Sequence, residues 1–133
     1  MPRPSPEWFD EQYNNRGRIP EHPAILQQWA QASATAYARL EGALDVPYGA
    51  HESERLDIFA PARPNGAPAP VLVYIHGGYW RALDKRDQSF VAPPFVDAGA
   101  LVVLANYALA PAVSDRRRPV SEPLPPFTPA TVT

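Results

Sequence analysis

The sequence places its most chemically suggestive residues together, at His76-Gly77-Gly78-Tyr79-Trp80. Two adjacent glycines directly after an apolar run let the backbone take positive φ and come close to a ligand. The N–H groups of Gly77, Gly78 and Tyr79 can then face a pocket instead of a strand ladder. Convergent backbone donors are what acyl transfer requires, because its tetrahedral intermediate gathers negative charge on one oxygen. Removing one such donor typically slows the reaction about 100- to 1000-fold. Tyr79 and Trp80 supply aromatic surface suited to walling a pocket for a flat substrate. A plain Gly-Gly turn over packed aromatics is the alternative. The full pentapeptide after a buried strand favours the chemical reading.

The remaining reactive side chains are sparse. There is no cysteine, so disulfides and thiolate metal sites are excluded. His22, His51 and His76 are too scattered to suggest a metal site. None of the seven glycines completes a G-x-S-x-G, the strained turn that presents a nucleophilic serine in many hydrolases. Ser89 falls in a predicted crossover with no base near it in sequence. Ser114 and Ser121 fall in a proline-rich tail. His76 precedes the glycines and is expected to support the loop by hydrogen bonds, not to act as a general base. No nucleophile, cofactor or metal is assigned.

Several elements must position that loop. Residues 1–23 are polar, broken by five prolines and interrupted by Trp8, Phe9 and Tyr13. They read as an extended arm pinned to a body by its aromatics. Residues 24–41 form the strongest predicted helix, with Leu26, Trp29, Ala36, Tyr37 and Leu40 on one stripe. Pro23 stands before it and Gly42 after it, as helix ends prefer. Residues 44–48 and 53–60 read as an antiparallel strand pair. Residues 61–70 read as a loop with Asn65-Gly66 as its tightest turn.

Val71-Leu72-Val73-Tyr74-Ile75 and Leu101-Val102-Val103-Leu104-Ala105 lack alternation. Such runs suit strands of a parallel sheet covered on both faces. Residues 87–98 between them are expected to carry a crossover helix, kinked or shortened by Pro93-Pro94. Strand, helix and strand at this spacing make a βαβ unit, so the fold class is α/β. Residues 114–133 change texture, with three consecutive arginines and then a proline series. Disorder is expected there.

Composition narrows the partners. The chain has 133 residues, 45% of them apolar, and a net charge of −2. The acidic balance argues against nucleic acid. No apolar run is long enough to span a membrane, and Met1 to Pro6 lack the character of a signal peptide. A cytoplasmic location is the default expectation. Proline is frequent, at 18 residues, and Lys85 is the only lysine. A GC-rich coding sequence would account for both.

HGGYW resembles the HGGxW signature of kynurenine formamidase (arylformamidase) and related esterases of the α/β-hydrolase fold. Tyr13-Asn14-Asn15-Arg16, the 24–41 helix, Leu56-Asp57-Ile58-Phe59 and Asn106-Tyr107-Ala108-Leu109-Ala110-Pro111 resemble the N-terminal half of that family. The likeness covers about residues 9–113. It implies a metal-free serine hydrolase that converts N-formylkynurenine to kynurenine and formate. Carried over by position, Gly77, Gly78 and Tyr79 would give oxyanion-hole N–H groups, and Tyr79 and Trp80 would line the pocket for a small aryl formamide or ester. The family's serine, acid and histidine have no counterpart in this sequence. A reading-frame or gene-model break after Val113 is therefore expected, leaving an incomplete domain over 24–113 that is inactive alone. A carboxylesterase or carbohydrate deacetylase of the same fold is the alternative activity. A non-catalytic binding module or a gene remnant is the alternative from other classes. Without a further strand beside Val71–Ile75, that strand would be an exposed apolar edge and a route to self-association.

Overall fold

The computed structural model describes residues 4–62 and 68–113. The Asn65-Gly66 turn and the tail expected to be disordered lie outside the described residues. The order of elements is α1 (Pro6–Tyr13), α2 (Asn15–Arg18), α3 (His22–Arg39), β1 (Gly42–Pro47), β2 (Arg55–Phe59), β3 (Val71–Ile75), α4 (Ala92–Asp97) and β4 (Leu101–Ala105). The strands form one mixed sheet in the order β1-β2-β4-β3. β1 and β2 are antiparallel, as are β2 and β4, while β3 runs parallel to β4 with Val71 opposite Leu101 and Ile75 opposite Ala105. The α/β class and the βαβ unit are as expected from the sequence.

The amino-terminal segment is helical where an extended arm was expected. Ser5 accepts a hydrogen bond from the Trp8 N–H and Pro6 occupies the first turn, a favoured helix start. No proline follows until Pro20, so none interrupts residues 7–18, and the one break falls at Asn14, which ends α1 and caps α2. The aromatics do not anchor this segment to the body. Trp8 meets Phe9 edge-on and Phe9 stacks on Tyr13, four residues along the same helix, and all three stay exposed.

The prolines of the crossover also act differently from expectation. Pro93 and Pro94 stand in the first turn of α4, where a missing N–H costs nothing. They start a short helix and do not kink a long one. Residues 85–91, ahead of it, form two single 3-10 turns.

The core lies on one face of the sheet. Phe59, Val102 and Leu104 are fully buried against Ala92 and Val96 of α4, with Tyr37 of α3 and Leu40 just past its end alongside. Burying each such side chain contributes about 1.5–3 kcal/mol. α3 presents Ser33 and Ala36 to the body as its most buried residues. Trp29, placed on the predicted apolar stripe, sits at its margin and tilts against Phe90. The parallel strand β3 is not covered on both faces among the described residues. Leu72 and Tyr74 face the core, while Val71, Val73 and Ile75 are 62%, 57% and 66% exposed.

Candidate active site

β3 ends at Ile75, and the next five residues leave the sheet. Gly78 has φ +117°, where an added Cβ would meet the Ala82 carbonyl oxygen at 1.9 Å. Tyr79 and Trp80 follow at φ 58° and 55°, and Leu83 at 75°. Positive φ at three non-glycine residues is uncommon backbone, and such strain concentrates at functional loops. Gly77 is different, since its φ is not in the left-handed region and a Cβ there would meet nothing within 4 Å. The conformational freedom expected of both glycines is thus used at Gly78, and the rest of the turn is made by the aromatic pair.

The loop bonds to itself and to the segment after β4. Arg81 N and Ala82 N both donate to the Gly78 carbonyl at 3.1 Å, and Ala110 N donates to the Trp80 carbonyl at 2.8 Å. Among the described residues, the N–H groups of Gly77, Gly78 and Tyr79 have no backbone or side-chain acceptor. They lie at the carboxyl end of a parallel strand, where open α/β sheets hold their ligands.

His76 is buried, and both its ring nitrogens are occupied. Nδ1 lies 2.7 Å from the Gly77 carbonyl oxygen and Nε2 lies 3.0 Å from Asn106 Oδ1. The ring stacks on Tyr107 with centroids 4.5 Å apart. The Tyr107 hydroxyl donates to the His76 carbonyl at 2.8 Å, and the Tyr48 hydroxyl donates to the Asn106 carbonyl at 2.6 Å. Burial pushes both phenols above the ordinary tyrosine range, so each remains a protonated donor at neutral pH.

Tyr48, Tyr79, Trp80 and Tyr107 line a cleft of about 650 Å³ together with His76, Gly77 and Asn106. Ile75 and Ala105, where the parallel strands end, also line it. The sequence alone does not single out Tyr48. It follows β1 immediately, and only the pairing of β1 with β2 carries it to this end of the sheet. Asn106 and Tyr107 stand at the end of β4, beside the end of β3, and that position is the signal that marks them.

No serine of the described residues lines the cleft. Ser89 is buried and donates to the Lys85 carbonyl at 3.0 Å. Ser114 and Ser121 lie outside the described residues. His22 contacts the Ile19 carbonyl and His51 accepts from Ser53 N, each within its own turn. No group of three side chains suited to a metal occurs among the described residues.

Behind the loop lies a buried charge cluster. Lys85 is almost fully buried, and its Nζ lies 2.7 Å from both Asp45 Oδ1 and Asp57 Oδ1. Asp57 is fully buried, accepts from the Tyr37 hydroxyl and accepts from Asp45 N at 2.8 Å. Arg86 pairs with the other oxygen of Asp45. The Lys85 ammonium holds the Asp45 carboxyl below the usual aspartate range. Desolvation, and then the hydrogen bond to Asp57, push the Tyr37 phenol well above its usual range.

No family model matches the chain. It is 44% identical to kynurenine formamidase of Danio rerio over 68 residues, 51% of this chain and 23% of that protein. It is 33% identical to kynurenine formamidase of Salmo salar over 107 residues, 80% of this chain and 35% of that protein. The chain therefore spans between about a quarter and a third of these relatives. A crystal structure of a candidate thioesterase from Silicibacter sp. superposes with a TM-score of 0.70 at 30% identity, over 78% of this chain and 39% of that one. No helix of the described residues is long and apolar enough to cross a membrane. By sequence and by fold, the chain is similar to the arylformamidase-like α/β-hydrolases.

Proposed function

We propose that residues 76–80 are the oxyanion-binding loop of a serine hydrolase acting on a small aryl formamide of the N-formylkynurenine kind. The observation that carries this reading is that the N–H groups of Gly77, Gly78 and Tyr79 have no acceptor among the described residues, in a loop whose Gly77, Tyr79 and Trp80 line an aromatic cleft where a parallel strand ends. In acyl transfer a serine oxygen attacks the carbonyl carbon and the electron pair moves onto the carbonyl oxygen. N–H groups already held in place stabilise that charge without reorganising. Tyr79 and Trp80, 79% and 70% exposed, offer their faces to an aryl group.

The sequence contains no G-x-S-x-G, so the attacking serine must come from outside these 133 residues. The chain alone is then expected to bind and not to turn over. The test pairs two measurements on the purified chain. N-formylkynurenine should quench the fluorescence of Trp80 saturably, with the quench absent in Trp80→Phe, and no kynurenine should form. Lack of saturable quenching would remove the pocket reading. Kynurenine formation blocked by a serine-directed reagent would remove the claim of inactivity. Ester or thioester hydrolysis is a second reading, favoured by the candidate thioesterase among the structural neighbours. Displacement of the bound formamide by a simple acetate ester at comparable concentration would favour it.

A further inference from the structure

Asn106 is the first residue after β4, and its backbone is held from two sides. Its N–H donates to the Arg55 carbonyl of β2 at 2.9 Å, and its carbonyl accepts from the Tyr48 hydroxyl at 2.6 Å. Its side chain then reaches the glycine-bearing loop at both ends. Oδ1 lies 3.0 Å from His76 Nε2, at the loop's start, and accepts from Lys85 N at 3.0 Å, at its end. Nδ2 donates to Asp84 Oδ2 at 2.6 Å.

The orientation of that amide is dictated by its partners. Lys85 N–H can only donate and an ionised Asp84 can only accept, so turning the amide over would set donor against donor and acceptor against acceptor. With Oδ1 so fixed, His76 Nε2 must carry a hydrogen. One side chain thus closes the ends of residues 76–85 and accepts the Nε2–H of the histidine at its start.

The loop between those ends needs such a closure. Tyr79, Trp80 and Leu83 all hold positive φ, which non-glycine backbone leaves unless its surroundings enforce it. Within the loop the described backbone-to-backbone bonds are the two from Arg81 and Ala82 to the Gly78 carbonyl. The anchor at Lys85 is itself rigid, because Asp45 and Asp57 hold its ammonium.

We propose that Asn106 is the positioning residue of the oxyanion loop, pinning His76, Asp84 and Lys85 on one amide so that the Gly77, Gly78 and Tyr79 N–H groups converge. This rests on the oxyanion reading of those groups. Two readouts on the full chain separate the two ideas. One is amide exchange at Arg81 and Ala82, which reports loop closure. The other is the affinity of the loop for phenylphosphonate, an aryl oxyanion.

Asn106→Ala should speed exchange at Arg81 and Ala82, and weaken phenylphosphonate binding, by about tenfold or more. Exchange across Val102 to Leu104 should stay slow. Asn106→Asp sets two carboxylates face to face and should behave no better. The double variant Asn106→Asp/Asp84→Asn exchanges the two chemistries. The carboxylate now at position 106 accepts from His76 and Lys85 N. The amide now at position 84 donates to that carboxylate, and its oxygen still accepts from Arg86 N, as Asp84 does at 2.8 Å. The exchange should restore both readouts to within about threefold of the parent.

Wild-type exchange and affinity in Asn106→Ala would overturn the proposal. If Asn106→Ala unfolds the strands as well, the double variant decides: recovery supports the pairing and failure overturns it. If the parent chain does not bind phenylphosphonate, yet exchange responds and recovers as stated, the oxyanion reading fails and the positioning role stands.

Discussion

At the scale of residues, Gly77 and Gly78 look equivalent in the sequence and are not equivalent in the fold. Gly78→Ala forces a Cβ onto the Ala82 carbonyl at positive φ and should cost about 1–3 kcal/mol of stability. Gly77→Ala meets open space and should fall within about 0.5 kcal/mol of the parent. Denaturant midpoints of the two variants check the contrast, and equal losses would contradict it. The pentapeptide was legible because strand, glycine pair and aromatic pair fall in one stretch. The division of labour within it was not, because Tyr79 and Trp80 take positive φ against their own preference and only tertiary closure makes them do so. The bonding role of the Asn106 side chain was hidden for a related reason, since its side-chain partners are 21 to 30 residues away.

At the scale of elements, α3, the β1–β2 pair and the turn after the loop meet at Lys85. Its being the only lysine is a hint, but burial of a charge is not visible in a periodicity. Lys85→Met would leave Asp57 buried and uncompensated, a loss of about 3–5 kcal/mol. Such a loss is comparable to the whole stability of a small domain, so the variant should populate unfolded chain, read by a collapsed denaturant midpoint. The Tyr37 phenol adds an alkaline limit. Its folded pKa is raised, so its contribution is complete below the unfolded value of about 10 and drains as pH rises beyond it. Tyr37→Phe should flatten that alkaline slope, and an unchanged slope would contradict the assignment. Helix α3 and all four strands were legible from their periods and lengths. The helical start of the chain was not, because its prolines look like breakers, whereas Pro6 begins a helix and Pro20 follows the end of the next.

At the scale of the molecule, the described sheet is packed on one face and ends in an apolar edge. Val71, Val73 and Ile75 project from β3 with nothing described beyond them. A flat apolar edge is a template for pairing, so the chain is expected to self-associate with concentration. Val73→Lys should suppress this, as charges on an edge do, and sedimentation velocity would show it. A parent chain that stays monomeric at high concentration would contradict the expectation.

The central claim is that the amides of Gly77, Gly78 and Tyr79 receive a negative oxygen. The most direct measurement is the ¹⁵N–¹H spectrum of the labelled chain during titration with phenylphosphonate. The account predicts saturable downfield shifts of those three amide protons, larger than any in the strands. Shifts spread over the surface arginines, with these three amides unmoved, would contradict it.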